Sequence, residues 1–327
     1  MKTVRWGIIG TGKIANKFAQ AVQNADGASL VAVASRTAES AKAFSEKYNI
    51  PNALVGYETM ATFEGVDAVY IGLPHTYHPV YAKLFMESGK HVLSEKPICI
   101  NAHQLTQLQK IQKEKNVYLM EALWTRFLPA VLKLKEMLDD GIIGQVLEVS
   151  ADFCYRKTDK ESGTVYKQAY AGGSLLDVGI YGLNFASIVL GDDVKTVQSA
   201  VHTAYGIDER THILLTYESG AIARISSAVA LEKPEDAYIY GTGGYIHIPH
   251  FYAASEFTVV TPAGKQEYSF PYKGNGFEEE IEECNRCILS GKNQSAVMPL
   301  TQSEKMLQLM DTVRKQAGVV YDADTEE

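Results

Sequence analysis

A glycine turn near the N terminus restricts the fold of this chain more than any other segment. Val4–Ile9 is a short apolar run that predicts a buried strand, and Lys13–Asn24 has the pattern of a helix. Between them lie Gly10 and Gly12, followed by Ala15. In a strand–turn–helix context, these small residues are typical of a dinucleotide-binding turn: they allow a tight bend, close approach of the pyrophosphate and close helix packing.

The same residues allow a second interpretation. Gly7, Gly12 and Lys13 nearly match the phosphate loop of nucleotide hydrolases, in which a serine or threonine after the lysine holds magnesium. Ile14 occupies that position, which disfavours this alternative. We therefore expect dinucleotide contacts from the turn and the start of the helix, namely Gly10, Thr11, Gly12, Lys13 and Ile14.

Strands and helices alternate over the first part of the chain. Further strands are predicted at Leu30–Ala34, Ala68–Leu73, Val92–Leu93 and Val117–Met120. Helices are predicted at Ala38–Tyr48, Val80–Ser88 and Ala102–Lys115. This alternation predicts a doubly wound parallel sheet with right-handed crossovers.

The pattern changes after Trp124. Helices are predicted at Pro129–Asp139, Ser174–Leu190, Phe277–Leu289 and Thr301–Gln316. Strands are predicted at Val146–Phe153, Thr196–His202, His212–Tyr217, Ala221–Ser226, Ala237–Tyr240, Tyr245–Ile248 and Phe257–Val260. The predicted fold class is α/β: a Rossmann domain at 1–123, then an α+β domain at 124–327 with a large, mainly antiparallel open sheet.

Composition limits the partners. The 327 residues carry a net charge of −8 without a lysine- or arginine-rich run, so no nucleic-acid partner is expected. No stretch resembles the roughly 20 apolar residues of a membrane span. The first apolar run is too short for a signal peptide and contains Arg5. We expect a cytoplasmic protein without a membrane partner.

The four cysteines do not indicate a metal site. Only Cys284 and Cys287 form a C-x-x-C, within a helical pattern and without two further ligands at suitable spacing. The carboxylates that precede them disfavour a reactive thiol. We expect reduced structural thiols and no metal.

The end of the second predicted strand bears on the choice of cofactor. An NAD site usually has an acid there to accept from the ribose 2′-hydroxyl. This chain has Ser35, Arg36 and Thr37 instead, which offer a cation and hydroxyl donors to a 2′-phosphate. NADP is therefore favoured, with NAD possible.

Glu95-Lys96-Pro97 follows the buried strand Val92–Leu93. Ligands of open α/β sheets lie outside the carboxyl ends of the strands. Lys96 is therefore predicted to point into the cofactor cleft, where its charge can act on a reacting oxygen.

Asp177 and Tyr181 are four residues apart, on one face of a predicted helix that begins after Gly172-Gly173. An acid and a phenol in this arrangement are a plausible acid–base pair. Spacing alone also allows a surface or capping aspartate beside a half-buried tyrosine.

Taken in order, the glycine turn, Glu95-Lys96-Pro97 and the helix that starts Gly-Gly-Ser-Leu-Leu-Asp-x-Gly resemble the glucose–fructose oxidoreductase, inositol dehydrogenase and MocA (Gfo/Idh/MocA) family. The resemblance covers essentially the whole chain. Most of the family has histidine four residues after the aspartate, whereas this chain has Tyr181. That difference, with the segment Met120–Phe127, looks like the dimeric dihydrodiol dehydrogenase branch.

The resemblance implies that Lys96, Asp177 and Tyr181 are the catalytic group. Tyr181 would be the general base in oxidation and the general acid in reduction. Lys96 would lower the phenol pKa and donate a hydrogen bond to the reacting oxygen. Asp177 would orient Lys96 or bind a substrate hydroxyl. In an alternative that the sequence leaves open, Lys96 itself relays the proton.

Further site residues are expected around this group. Contacts on the nicotinamide side are predicted from Leu73, Pro74, His75, His78, Glu95 and Lys96. Trp124 and Arg126, at the junction of the domains, are predicted to bind cofactor, and Trp124 also substrate. Phe153, Tyr155 and Phe277 are candidates for an aromatic substrate wall, beside Asp177 and Tyr181.

The predicted function is NADP-dependent oxidation or reduction of a small sugar, polyol or cyclic diol. The resemblance also implies a homodimer or higher oligomer that forms through the C-terminal sheet. The main alternative is a non-catalytic sensor of the NADP redox state. A second alternative, within the oxidoreductases, is a biliverdin reductase-like role. The sequence gives neither the physiological substrate nor the direction of reaction.

Overall fold

The computed structural model describes residues 2–325. The chain divides into two compact units. The first contains the residues up to Trp124 together with Lys273–Glu304, and the second contains Thr125–Tyr272 together with the residues from Lys305 onward. The division at 123/124 stays a prediction about domains, and Lys273–Glu304 returns to the first unit after the second sheet is complete.

The first unit contains a six-stranded sheet in which every strand pair is parallel. The strands are β1 (Val4–Ile9), β2 (Ala28–Ser35), β3 (Asn52–Val55), β4 (Ala68–Ile71), β5 (His91–Glu95) and β6 (Leu119–Ala122), in the order β3-β2-β1-β4-β5-β6. The predicted parallel sheet is confirmed. The short edge strand β3 was not predicted, because it has only four residues and only its alternate residues are sheltered.

The second unit contains an eight-stranded sheet in the order β14-β13-β12-β11-β7-β10-β9-β8. Its strands are β7 (Val146–Cys154), β8 (Val194–Ala204), β9 (Ile207–Tyr217), β10 (Ile222–Ala228), β11 (Ala237–Gly241), β12 (Gly244–Ile248), β13 (Glu256–Thr261) and β14 (Gly264–Ser269). Only the β7–β10 pair is parallel, so the predicted mainly antiparallel sheet is confirmed. Strand β14 was missed because this edge strand is exposed and polar.

Nine α-helices occur within residues 2–325: α1 (Lys13–Val22), α2 (Ala38–Tyr48), α3 (Thr59–Thr62), α4 (His78–Glu87), α5 (Ala102–Lys115), α6 (Pro129–Asp139), α7 (Ile180–Leu190), α8 (Glu278–Leu289) and α9 (Leu300–Ala317). Helix α8 belongs to the first unit through Asn285, which accepts a hydrogen bond from Trp6 Nε1 at 2.9 Å and donates one to the Asp26 carbonyl at 2.8 Å. Trp6 packs edge-on against Phe18, and Phe18 stacks on Tyr70 at 3.8 Å. Buried aromatic rings from the sheet and from α1 thus pack together in the core of the first unit.

One helical stretch, Gln168–Leu190, has the length and apolar composition of a membrane span. The expectation that no such stretch exists was therefore wrong on composition. Of its most apolar window, 78% is buried inside the fold, which is the pattern of a core helix rather than one facing lipid.

Candidate functional site

The glycine turn at the end of β1 is shaped by contacts with β4. Gly10 has φ +97°, and a Cβ there would lie 2.5 Å from the carbonyl oxygen of Gly72. A side chain is therefore excluded by both conformation and space. Gly12 differs, because a Cβ on it would meet no atom of the described residues within 4 Å. Its small size is not required by packing, and it leaves the backbone at the start of α1 open to a ligand.

A cavity of about 490 Å³ lies over this turn. Its lining residues are Gly10, Thr11, Gly12, Ser35, Arg36, Thr37, Ser40, Tyr57, Gly72, Leu73 and Pro74. The structure thus brings together the predicted residues of the turn, of the end of β2 and of the segment after β4. Lys13 and Ile14 are not among the lining residues of this cavity.

Three residues that line the cavity were not predicted as site residues, namely Ser40, Tyr57 and Gly72. Tyr57 lines it beside Arg36, whose charge acts against the burial that raises the pKa of the Tyr57 phenol. No sequence signal pointed to Tyr57, because it follows β3, the strand that was missed. Thr37 also has a structural role, since its hydroxyl caps helix α2 by accepting from the Ser40 N–H at 3.2 Å.

Glu95 lies at the end of β5 and is only 6% exposed. Its Oε1 accepts a hydrogen bond from the Tyr70 hydroxyl at 2.5 Å, and Oε2 accepts from the Lys96 N–H at 3.3 Å. Burial raises the pKa of Glu95. These contacts direct Glu95 toward the core ring of Tyr70, so its predicted cofactor contact has no support from its hydrogen bonds.

His78 is fully buried between two backbone segments. Its Nδ1 lies 2.7 Å from the carbonyl oxygen of Pro97, and its Nε2 lies 2.7 Å from that of Leu73. Two carbonyl acceptors favour the imidazolium, but desolvation and the nearby His75 outweigh them and lower the pKa to about 4. His78 thus connects the segment after β4 to the segment that carries Lys96. His75 lies beside it, with ring centroids 5.9 Å apart.

Trp124 and Phe277, both predicted to contact substrate, pack against each other in the first unit. Their ring centroids are 5.2 Å apart, and they are 7% and 3% exposed. Phe277 precedes α8, so the return of Lys273–Glu304 to the first unit brings it to Trp124. Trp124 and Phe277 lie far apart in the sequence, so no local pattern indicated that they would pack together.

In the second unit, the helix that carries Asp177 and Tyr181 begins with a π-helical turn, Leu175–Gly179, which was not predicted. Such turns occur frequently at functional sites. A Cβ on Gly179 would lie 3.0 Å from Ser227 Oγ, and one on Gly182 would lie 2.6 Å from Ile225 Cγ2. These glycines allow the helix to lie directly on β10.

Asp177 is held by a hydrogen bond from Tyr155. The Tyr155 hydroxyl donates to Asp177 Oδ2 at 2.8 Å, and both burial and this carboxylate raise the pKa of Tyr155. Tyr155 was predicted as part of an aromatic wall. Its hydroxyl instead fixes one oxygen of Asp177, which leaves the phenol a donor rather than a base.

An aromatic cluster surrounds Tyr181. Its ring centroid lies 5.5 Å from that of Phe153 and 5.8 Å from that of Tyr252, and Phe153 stacks on Tyr252 at 4.1 Å. Phe153 was a predicted substrate residue, whereas Tyr252 was missed because it lies in the loop between β12 and β13, which no motif marks. The cluster gives Tyr181 an apolar setting in the second unit.

Arg126 is anchored within the second unit. Its Nε donates to Asn184 Oδ1, and its Nη2 donates to Ser187 Oγ at 3.1 Å, both on α7. Ser187 in turn donates to Asp192 Oδ1 at 2.6 Å. The arginine predicted to bind cofactor therefore has hydrogen bonds to the helix that carries Tyr181.

The thiols are all free and buried. Burial raises the pKa of Cys99, Cys154, Cys284 and Cys287, and for Cys154 and Cys287 the value is about 11. Thiols with such values are protonated at neutral pH and are poor nucleophiles. Within residues 2–325, no group of three or more histidines, cysteines and acids could hold a metal ion.

Comparison with known proteins gives a consistent picture. Residues 4–123 match the oxidoreductase family GFO_IDH_MocA with its NAD-binding Rossmann fold, and residues 131–247 match the C-terminal domain of the same family. Trans-1,2-dihydrobenzene-1,2-diol dehydrogenase of Danio rerio is 35% identical, over 99% of both chains. The enzyme of that name from Mus musculus is 32% identical, over 98% of this chain and 99% of that protein.

A solved structure shows the same fold. It is a 3-ketoreductase from Actinomadura kijaniata in complex with NADP and TDP-benzene. Its TM-score is 0.88 at 25% identity, over 96% of this chain and 98% of the other. Both sequence and structure therefore match over nearly the full length.

Proposed function

This chain belongs to the Gfo/Idh/MocA oxidoreductase family, and on that basis we propose that it transfers hydride between NADP and a carbon of a small sugar, polyol or cyclic diol. The chain is an NAD(P)-dependent oxidoreductase with a Rossmann cofactor domain. The substrate class and the residue roles are our assignment. A cytoplasmic location is proposed with them.

The cavity over the glycine turn is the observation that carries the cofactor assignment. Its residues combine the open backbone at Gly12 with the cation of Arg36 and the hydroxyls of Ser35 and Ser40. Among residues 2–325, none of its lining residues is a carboxylate. A 2′-phosphate would therefore find a cation and donors and meet no lining carboxylate, which supports NADP over NAD.

The bound nicotinamide supplies the hydride donor and acceptor. When the substrate alcohol becomes a carbonyl, its hydroxyl proton must leave. We assign Tyr181 to accept this proton as a phenolate in oxidation and to return it as a phenol in reduction. A free phenol has a pKa of about 10, too high for an efficient base at neutral pH. We assign the ammonium of Lys96 to lower that pKa and to donate to the reacting oxygen. The alternative in which Lys96 relays the proton is tested by the same variants.

Asp177 is assigned to orient the partners of this reaction. One of its oxygens already accepts from Tyr155 at 2.8 Å. A carboxylate can accept several hydrogen bonds at once, and we assign Asp177 to accept from a substrate hydroxyl or from Lys96 as well. This supports a fixed acceptor rather than a proton carrier.

Aromatic residues support the substrate class. Phe153 and Tyr252 form a stacked pair beside Tyr181, and such faces suit a cyclohexadiene diol as well as the apolar face of a sugar ring. Relatives named trans-1,2-dihydrobenzene-1,2-diol dehydrogenase favour a cyclic diol as the first substrate to test. Trp124 and Phe277 stay proposed substrate residues.

Self-association through the second sheet is part of the proposal. Exposed large apolar side chains lie on one face of this sheet, namely Leu214, Tyr240 and Tyr245. A second copy of this chain is the proposed occupant of that surface. Light scattering of the wild-type protein and Leu214→Glu tests this, with a dimer that dissociates in the variant as the expected result and a wild-type monomer as the contradicting one.

Turnover with NADP⁺ against dihydrodiols, aldoses and inositols tests the function. The expected result is NADPH formation from at least one of these classes, lost in Lys96→Ala and strongly reduced in Tyr181→Phe. Tight NADPH binding without turnover of any class would contradict the enzyme and favour a sensor of the NADP redox state.

A further inference from the structure

Asp208, on strand β9, contacts the start of the helix that carries Asp177 and Tyr181. Its Oδ2 accepts hydrogen bonds from the Leu175 N–H at 2.6 Å and from the Ser174 hydroxyl at 2.8 Å. Thr211, on the same strand, donates to the same oxygen at 2.9 Å. One carboxylate oxygen thus collects three donors, two of which belong to the first residues of the helix.

The carboxylate is buried without a counter-ion. Asp208 is 1% exposed, and within the described residues it makes no ion pair and its Oδ1 has no hydrogen-bond partner. Burial raises its pKa to about 6, so it is mostly ionised at neutral pH. Tyr321 is the titratable side chain that faces it from the C-terminal segment, and Arg314 and Asp324 lie behind that ring. A buried charge costs free energy that a neutral acceptor would avoid.

The two glycines before the helix provide room for this carboxylate. Gly173 has φ +117°, and a Cβ there would lie 2.2 Å from Asp208 Oδ1. A Cβ on Gly172 would lie 2.4 Å from the carbonyl oxygen of Val165, and the Gly172 carbonyl accepts from the Tyr321 hydroxyl. The Gly-Gly-Ser segment therefore provides the space for the Asp208 carboxylate and a donor to it, and it also begins the helix.

We propose that Asp208 is a positioning residue that fixes the π-helical turn Leu175–Gly179, and thereby the orientation of Asp177 and Tyr181 in the reaction. The negative charge complements the N-terminal end of the helix dipole and strengthens its hydrogen bonds. These bonds hold Ser174 and Leu175, at the start of the turn, so the turn cannot unwind from its N-terminal end without breaking them. The inference rests on the proposed function for the chemistry of Asp177 and Tyr181, but not for the anchoring itself.

Asp208→Asn keeps the shape and removes the charge. Hydrogen exchange followed by mass spectrometry on peptides that cover residues 173–182 should be about tenfold faster in this variant, because charge-assisted hydrogen bonds are roughly twice as strong as neutral ones. We expect kcat to fall about tenfold, while KM for NADP stays within about twofold, because Asp208 lies outside the dinucleotide unit. Thr211→Val is the matched control: it removes one donor but leaves the carboxylate and both helix donors, so kcat should stay within about threefold.

The outcomes separate the two proposals. Wild-type exchange and wild-type kcat in Asp208→Asn would overturn the positioning role. A fall in kcat without faster exchange of residues 173–182 would also overturn it, because the effect would not pass through the turn. If Asp208→Asn does not fold, Ser174→Ala decides by the same two readouts. If the wild-type enzyme turns over none of the substrate classes, the proposed function fails while the exchange result still tests the anchoring.

Discussion

The dinucleotide cavity in the first unit and the Asp177–Tyr181 helix in the second are constructed in different ways. The cavity is formed by backbone and small residues close in sequence to strand ends, such as Gly10 and Ser35. The helix depends on side chains that are distant in sequence, such as Tyr155 on Asp177 and Asp208 on Leu175. A local motif suffices to shape the cavity over the glycine turn, whereas the orientation of Asp177 and Tyr181, the proposed acid–base groups, requires tertiary contacts.

The largest expected effect is that of Lys96→Ala. Loss of a positioned cation at the reacting oxygen should lower kcat by about 10³-fold, because oxyanion stabilisation of this kind contributes about 3–4 kcal/mol. Steady-state turnover and NADPH fluorescence titration measure chemistry and binding separately. Lys83→Ala, on the exposed surface of α4, is the control and should retain wild-type rates. Turnover within threefold of wild type in Lys96→Ala would exclude Lys96 from the chemistry.

Gly10→Ala tests the first unit next. The added Cβ would lie 2.5 Å from the Gly72 carbonyl at φ +97°, so the turn must shift, and we expect NADPH affinity to fall at least about 100-fold. Gly89→Ala is the matched control, since Gly89 also has positive φ (+77°) but open space around its Cβ position. It should cost about 1–2 kcal/mol of stability and leave NADPH binding unchanged. Equal NADPH affinity in the two variants would refute the close contact as the cause.

Asp208 predicts a pH dependence of stability in the second unit. Burial of the charge costs more free energy than its hydrogen bonds to the turn return, so the folded pKa is raised to about 6. The contribution of Asp208 to global stability is therefore complete below about pH 4 and is lost as the pH rises through 6, even though the ionised form makes the stronger local bonds to the turn. Between pH 4 and 7.5, the unfolding free energy of wild type relative to Asp208→Asn should decline by up to about 3 kcal/mol. Denaturant unfolding of both proteins at the two pH values measures this. A constant difference would mean that the pKa of Asp208 is the same in the folded and unfolded states.

Tyr155→Phe should have the smallest effect. Without the phenol, Asp177 loses one hydrogen bond to a charged group, and we expect kcat to fall about tenfold with little change in NADP binding. Tyr166→Phe is the comparison, because its hydroxyl donates to the Val229 carbonyl at 3.0 Å instead. Equal kcat values for the two variants would show that the Tyr155–Asp177 bond does not matter for the reaction.

Local signals explain which elements were predictable from the sequence. Helices α2 and α5 have the predicted bounds because Thr37 and Asn101 cap their first turns and left-handed Asn49 and Asn116 end them. The edge strands β3 and β14 lack an apolar pattern, so nothing marked them.

The same distinction separates the site residues that could be predicted from those that could not. Gly10, Ser35 and Pro74 lie at or just after the ends of strands, and they line the cavity that strand ends predict. Tyr57, Tyr252 and Asp208 were missed because each gains its contact only through the tertiary fold. Asp208, for example, meets Leu175 from 33 positions away, across a strand pairing that the sequence does not specify.

The most direct test of the account compares Arg36→Ala and Tyr181→Phe in one assay. Arg36→Ala should raise KM for NADP about tenfold or more, leave KM for NAD nearly unchanged and keep kcat. Tyr181→Phe should do the reverse, with kcat lower by about 10²-fold and NADP binding unaltered. This crossed result would show that Arg36 in the first unit selects the cofactor and that Tyr181 in the second unit takes part in the proton chemistry. Unchanged turnover in Tyr181→Phe, or an unchanged ratio of NADP to NAD use in Arg36→Ala, would contradict it.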